Sequence, residues 1–380
     1  MTHPQLPKAV ISGSGVWTPP HQITNEELVE SYNAYAAMYN DEHAEAIAAG
    51  TMEEKYPSSV RFIEKASGIK KRYVYTKEGI LDIHRMCPKF PERGEEEISN
   101  QADIAIYAAR EAMKSAGKTG ADIDAVIVAC AYTQRSYPAI AIEVQNALGI
   151  EGFGFDMLGA CSAATFGLHR AYDCIGTGSA KCVLAINPEL VTPQVNYCDR
   201  DSHFIFGDVG AAIIMESPET ASAQNRFEIL GTRALTRFSS NIRSNFGHMS
   251  RATDADPYGW DKLFHQAGKV VFEEVSPIAA DHIKAHLKEY NLAPQDVKRF
   301  WLHQANINMN KRVMKNLLDE NPMDDNDVAP IILDQYANTA SAGSIIAFHF
   351  HHADMQSGDI GVICSFGAGY SVGSLVLRKY

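Results

Sequence analysis

The stretches DIDAVIVACA (122–131) and DVKRFWLHQA (296–305) share one layout, an acidic turn followed by an apolar run. Each follows an amphipathic stretch, IAIYAAREAMKSAG in one case and IAADHIKAHLKEYN in the other. Farther on, SAKCVLAINPE (179–189) matches SGDIGVICSFG (357–367), and a second apolar run follows each, GAAIIMES and VGSLVLRKY. The two pairs lie 174 residues apart (122 to 296) and 178 apart (179 to 357). The openings KAVISGSGVW and FEILGTRALT correspond as well. A repeat of parts in constant order points to duplication. Strands that alternate with helices point to α/β layers with buried sheets. The expected division is 1–220 and 221–380, joined by the short polar loop SPETASAQNR and packed as one unit.

Two segments break the repeat. TNEELVESYNAYAAMYNDEHAEAIAAGTMEEKY opens with a capping box, Thr24 and Glu27, and carries Leu28, Tyr32, Tyr35 and Tyr39 at helical spacing. TKEGILDIHRMCPKFPERGEEE, rich in proline and charge, reads as a long loop. Both are additions to the duplicated scaffold.

A formal net charge of −12 argues against non-specific nucleic-acid binding, which needs a basic footprint. The seven cysteines are scattered without a CxxC pair, so neither a zinc site nor a disulfide framework is expected. A reducing, cytoplasmic setting fits them. The N-terminus has no signal-peptide pattern, and no apolar run approaches a membrane span.

Shifting Cys161 by 178 residues lands on Thr339, beside Asn338, so GACSAA and ANTASA would occupy corresponding helix starts. His303 closes a repeated strand, and sites in α/β sheets gather at strand C-terminal ends. Cys161, His303 and Asn338 are therefore expected to converge on one cleft between the halves. A helix N-terminus favours a thiolate and presents unpaired N–H groups to an oxyanion. Taken singly, Cys161 reads as a small buried hydrophobe, His303 as a structural histidine and Asn338 as a helix cap. Their placement by the repeat favours chemistry. The HFHH run (349–352) lacks a carboxylate or cysteine partner, and no metal is expected there.

At these residues the chain resembles the β-ketoacyl-acyl carrier protein synthase III family of the thiolase superfamily. The resemblance runs through AVISGSGVWTPPHQITNEEL, SGIKKRYVY, GACSAATFGL, FIFGDVGAAII, HQAN, YANTASAGS and SFGAGYSVGSLVLR. It implies a thiolase-like α/β fold of two duplicated layered halves with buried five-stranded sheets. Cys161 would be the acyl-accepting nucleophile. His303 and Asn338 would polarise the malonyl thioester carbonyl, and the amides of Cys161 and Ala368 would hold the tetrahedral oxyanion. The reaction implied is decarboxylative condensation of an acyl-CoA primer with malonyl-acyl carrier protein, in a homodimer, without a metal or organic cofactor. Arg200, which matches a coenzyme A-contacting arginine of the family, and Tyr137, Asn306 and Gly268 are the expected substrate-binding positions. The chain departs from the family at Asn308 and Ala66, where arginines are common, and at Gly268, where a bulky aromatic is common near the tunnel. These departures and the two insertions suggest a medium-chain primer. Lys311, Arg312 and Lys315, which follow HQANINMN, are expected to dock the acidic carrier protein. Ser365 stands at the position of a thiolase's second cysteine, and the adjacent Cys364 should face the other side of a strand, which argues against a thiolase. A synthase of the hydroxymethylglutaryl-CoA type or a head-to-head condensing enzyme would need a glutamate base, for which Glu143 and Glu189 are candidates. A papain-like hydrolase shares the chain order of Cys, His and Asn but lacks that family's signature.

Overall fold

A computed structural model describes residues 9–319 and 327–380. The chain opens with β1 (Ala9–Trp17), β2 (His21–Thr24), α1 (Asn25–Glu42), α2 (Ala44–Ala48), α3 (Val60–Ser67) and β3 (Lys71–Val74). It continues through α4 (Asn100–Ala116), β4 (Ala125–Cys130), α5 (Ile140–Leu148), β5 (Phe153–Leu158), α6 (Ala163–Gly176), β6 (Cys182–Glu189) and β7 (Val209–Glu216). Then come β8 (Phe227–Thr236), the short pair β9 (Ile242–Arg243) and β10 (His265–Gln266), α7 (Gly268–Lys288), β11 (Val297–Leu302) and α8 (Ile307–Leu318). The chain closes with α9 (Leu333–Tyr336), α10 (Gly343–Phe350), β12 (Ile360–Gly367) and β13 (Ser371–Lys379).

Nine strands form one sheet in the order β11-β12-β13-β8-β1-β7-β6-β4-β5. From the central pair outward, β1-β7-β6-β4 is repeated by β8-β13-β12-β11. The seam is short: Ala9–Ile11 of β1 pair antiparallel with Phe227–Ile229 of β8. On one side β4 is parallel to both β5 and β6, and on the other β12 is parallel to β11.

Among the described residues, the expected five strands per half are met in the first half alone. The counterpart of β5 should follow α8, where the segment 327–332 runs instead. It keeps one backbone bond to β11, from Phe300 N–H to Val328 O at 2.7 Å. Pro330 has no N–H for a ladder, and its carbonyl is taken by Gln304 Nε2 at 3.2 Å.

Strand alternation sorts the core into layers. In β4, Ala125 and Ile127 face α6 and α10, while Val126, Val128 and Cys130 face α4 and α5. In β12, Ile363 joins the α6–α10 layer, while Val362, Cys364 and Phe366 join α7 and α8. The layers therefore run α4/α5, sheet, α6/α10, sheet, α7/α8. Strands covered on both faces must be apolar throughout, and every residue of β4, β6 and β12 is buried.

The two insertions form a cap over one end. Thr24 and Glu27 make both bonds of the capping box that starts α1. Leu28 of that helix is buried among Ile63, Met86 and Phe204, and Tyr32 is buried with its ring stacked on His203. The 75–99 stretch has no regular structure but buries Ile80 and Met86. Among the HFHH histidines, His349 Nδ1 bonds Ser14 Oγ, and His352 Nδ1 bonds Phe348 O. No helix among the described residues is long and apolar enough to cross a membrane.

Candidate active site

Cys161 lies in a single 3₁₀ turn, Ala160–Ser162, between β5 and α6. Ala160 has φ +46°, a left-handed value that side chains other than glycine rarely adopt, and it makes the turn sharp. The turn packs against β12 and against a second 3₁₀ turn, Ala340–Ala342. That second turn repeats the first, with Ala340 at φ +48°. The match is at 180 residues (160 to 340), so the counterpart of Cys161 is Ser341 and not Thr339. The reason is two residues fewer from the start of α10 to β12 than from the start of α6 to β6.

Gly367 closes over the thiol. A Cβ at Gly367 would stand 2.6 Å from Cys161 Cβ and 3.0 Å from Sγ. The next residue, Ala368, is held by Ser371, whose hydroxyl donates to Ala368 O at 2.7 Å. Ser371 O in turn accepts from Ser162 Oγ at 2.9 Å. Burial pushes the Cys161 thiol up to about 11, with the nearby charge of Glu189 adding to the rise, while the N–H groups of Ala368 and Cys161 oppose it. The resting group is the thiol. Desolvation thus works against the thiolate that the helix start is expected to favour.

His303 follows β11 directly, and its N–H donates to Cys364 O at 2.8 Å. Its ring stands edge-on to Phe366, with centroids 5.5 Å apart at 89°. Nδ1 is buried without a hydrogen-bond partner among the described residues. Burial lowers this histidine to about 4, so the ring is neutral at pH 7. Gln304 positions the chain segment that carries Asn338. Its Nε2 donates to Leu302 O and Pro330 O, and its Oε1 accepts from Ile332 N and Leu333 N. Both ends of the amide are thereby spent on backbone, three of the four bonds on the run that leads to Asn338. Sequence reasoning missed this role, although Gln304 stands inside HQAN.

Asn338 forms an isolated parallel bridge with Phe206: its N–H donates to Ile205 O, and its carbonyl accepts from Gly207 N. Its Oδ1 accepts from Ala340 N at 2.9 Å. That bond fixes the amide so that Nδ2, without a partner among the described residues, remains available as a donor.

Glu189 ends β6, the strand that repeats β12, so it occupies the place of Gly367 in the other half. It is fully buried. Oε1 accepts from the N–H and hydroxyl of Ser341, and Oε2 accepts from Ala131 N at 3.2 Å. Glu189 thus meets Ser341 as Gly367 meets Cys161. Burial raises its carboxyl to about 7 against those hydrogen bonds. Glu143 is bound by Ser99 and faces Arg135 at 3.4 Å. Ser365 bonds Ser344 Oγ at 2.8 Å, and Cys364 lies in the α7/α8 layer.

The other expected positions divide. The Arg200 guanidinium lies 3.9 Å over the Phe62 ring, a partner that sequence reasoning missed. Asn306 is occupied structurally: Oδ1 caps α8 through Asn308 N, and Nδ2 donates to Ala66 O at 2.7 Å. Gly268 does not line a buried tunnel. It is exposed at the first turn of α7, where an added Cβ would approach nothing nearer than Gln266 Nε2 at 3.9 Å. Tyr137 is 83 % exposed. On α8, Lys315 is exposed and Lys311 half-buried, while Arg312 stacks over Phe272 at 4.8 Å.

Two family descriptions match the chain. The 3-oxoacyl-[acyl-carrier-protein] synthase III model covers residues 155–234, and its C-terminal model covers 287–379. A β-ketodecanoyl-[acyl-carrier-protein] synthase of Pseudomonas aeruginosa is 53 % identical over 352 residues, which is 93 % of this chain and all of that protein. A β-ketoacyl-[acyl-carrier-protein] synthase III of Rhizobium rhizogenes is 28 % identical over 86 % of this chain and 93 % of its own. The crystal structure of 3-oxoacyl-(acyl carrier protein) synthase III from Pseudomonas aeruginosa superposes with a TM-score of 0.75 at 20 % identity, over 98 % of both chains. The chain belongs to the 3-oxoacyl-[acyl-carrier-protein] synthase III family of condensing acyltransferases.

Proposed function

We propose that this enzyme condenses a medium-chain acyl-CoA primer with malonyl-acyl carrier protein through an acyl-Cys161 intermediate. In the first half-reaction Cys161 Sγ bonds to the acyl carbonyl, the bond to the CoA sulfur breaks, and the thiol proton leaves with CoA. In the second, malonyl-acyl carrier protein loses CO2. The electron pair passes into an enolate whose oxygen takes hydrogen bonds from His303 and Asn338. A neutral imidazole and a fixed amide suit an oxygen that gains charge only during reaction. The enolate carbon attacks the acyl-Cys161 carbonyl, and the amides of Cys161 and Ala368 hold the resulting oxyanion. Collapse expels the Cys161 sulfur, which takes up one proton from solvent, leaving β-ketoacyl-acyl carrier protein. No resident cofactor enters these steps.

The observation that carries this reading is the Asn338 amide, fixed by Ala340 with its donor end free among the described residues, two residues before the turn packed beside Cys161. The medium-chain primer is supported by the β-ketodecanoyl name of the relative, since a two-carbon extension to ten carbons starts from eight. A glutamate base is disfavoured because Glu189 and Glu143 already accept hydrogen bonds from their neighbours. Carrier protein would dock on Lys311, Arg312 and Lys315. A homodimer is supported by edge strand β5, where Phe153 and Leu158 are 39 % and 62 % exposed. Tyr137 would reach the acyl pocket of the second copy. The halves 1–220 and 221–380 would act as one unit, and seven free cysteines suit the cytoplasm.

A panel of acyl-CoAs, with intact-mass detection of acyl-enzyme and product, tests the reading. Octanoyl-CoA should give an adduct that Cys161→Ala abolishes, then a ketodecanoyl product and CO2 on addition of malonyl-acyl carrier protein. An adduct that persists in Cys161→Ala, or acetyl-CoA as the best primer, would overturn the corresponding part.

A further inference from the structure

The insertion after β2 takes no part in the chemistry above, yet the backbone returning from it is tied on both sides. On one side stand two asparagines of α1, seven residues and so about two turns apart. Asn33 Oδ1 accepts from Ser58 N at 2.8 Å, and its Nδ2 donates to Ser58 O at 3.2 Å. Asn40 makes the same pair of bonds to Lys55, both at 2.9 Å. Between them the Tyr32 hydroxyl donates to Tyr56 O at 3.3 Å.

The other side of the returning segment grips the loop that follows β6. Pro57 O accepts from Arg200 Nε at 2.9 Å. Lys55 Nζ donates to Cys198 O at 3.0 Å. Arg200 O pairs with His203 Nδ1 at 2.9 Å, and the His203 ring stacks on Tyr32 at 4.7 Å. The Phe62 ring beneath the guanidinium belongs to α3, which begins just after the same segment.

We propose that Asn33 and Asn40 are positioning residues for recognition of the primer's coenzyme A. They fix residues 55–58, whose Pro57 carbonyl fixes Arg200 in its plane over Phe62; this rests on the reading of Arg200 as a coenzyme A contact. A guanidinium recognises phosphates and flat bases through a rigid fork and a planar face, and both serve only when the plane is held. The insertion is thus a wall built for the nucleotide end of the substrate. That end is present in acyl-CoA and absent from the pantetheine arm of a carrier protein. The insertion therefore acts on the first half-reaction and leaves the second alone.

The test compares acylation of Cys161 by octanoyl-CoA and by octanoyl-pantetheine, which lacks the nucleotide. Wild type, Asn33→Ala/Asn40→Ala, Lys55→Met and Arg200→Ala are measured. The double variant and Arg200→Ala should raise KM for octanoyl-CoA about tenfold at unchanged kcat, as expected for lost hydrogen bonds and preorganisation. Lys55→Met should raise it about twofold, and it carries the same test if the double variant does not fold. Neither the double variant nor Lys55→Met should change KM for octanoyl-pantetheine. Equal losses on both esters would assign the asparagines to general stability and overturn the proposal. So would an unchanged KM in the asparagine variants while Arg200→Ala separates the esters. If Arg200→Ala itself fails to separate them, the reading of Arg200 falls.

Discussion

Gly367 stands against Cys161 so closely that a Cβ there would lie 2.6 Å from the cysteine's own Cβ. The contact crosses between the repeats, because Gly367 ends a strand of the second half and Cys161 opens a helix of the first. Gly367→Ala should force the two apart. Overpacking of about 1–3 kcal/mol, if carried into the barrier, translates into an about five- to 150-fold slower acylation. The time course of adduct formation by octanoyl-CoA measures it, and an unchanged rate would mean that the turn yields without cost.

His303→Ala and Asn338→Ala should separate the half-reactions. Each removes a donor proposed for the enolate oxygen, and losing such a donor typically costs about 10²–10³ in rate. Acyl transfer to Cys161 should change far less. Single-turnover acylation set beside CO2 release resolves the two, and matching losses in both would make one of these residues an activator of the thiol.

Glu189→Gln tests the mirror contact. The new Nε2 would face either Ala131 N–H or Ser341 N–H, donor against donor, at a cost of about 1–3 kcal/mol in stability. The same substitution removes a charge that raises the Cys161 thiol. The midpoint of iodoacetamide alkylation against pH should therefore fall below that of the wild-type enzyme. A midpoint that stays or rises would show that the carboxylate does not act on the thiol.

Acid stability should depend on a buried pair in α7. His282 Nε2 and His286 Nδ1 both meet Ser374 Oγ, at 3.0 and 2.7 Å. A hydroxyl has one proton, so one ring accepts it and the other donates its own, and both rings are neutral. Burial lowers them to about 4 and about 3. Unfolded histidine titrates near 6.5, so below that pH the unfolded chain binds protons that the folded one refuses. Their contribution is present above about 6.5 and is lost as pH falls towards 4. Urea midpoints at pH 7.5, 6 and 5 should decline, and His282→Gln should flatten the decline. An equal slope in the variant would place the sensitivity elsewhere.

Charge reversal on α8 should give two different results. Lys315→Glu, at an exposed position, should raise KM for the carrier-protein substrate and weaken its salt dependence, leaving acylation by octanoyl-CoA unchanged. Arg312→Glu should also lower stability, because its guanidinium packs on Phe272. Equal effects of Lys315→Glu on both substrates would move the docking face elsewhere.

The repeat is legible in the sequence because buried strands must be apolar along their whole length, and the matching runs are β4 and β11, then β6 and β12. The capping box of α1 is legible because both its bonds are local. What long-range packing decides is hidden. Pro330 replaces a strand without changing the apolar pattern around it, and a two-residue deficit between α10 and β12 shifts the partner of Cys161 from Thr339 to Ser341. The protonation of Cys161 follows from burial by chain more than two hundred positions away, which a helix-start argument cannot see. Gly268 escapes sequence reasoning because the exposed segment in which α7 begins has no core pattern to anchor its position.

The bonds from Ser162 to Ser371 and from Ser371 to Ala368 also order events in time. A ribosome that has reached residue 366 has already released Cys161 and the helix behind it, but not the glycine, the amide or the serine that complete the nucleophile's surroundings. Strand β13, which carries Ser371, must then insert between β12 and β8. Until it does, the cysteine is an ordinary thiol on an open layer. A chain that stops before Gly367 therefore carries Cys161 without the glycine, the amide and the serine that surround it in the folded protein.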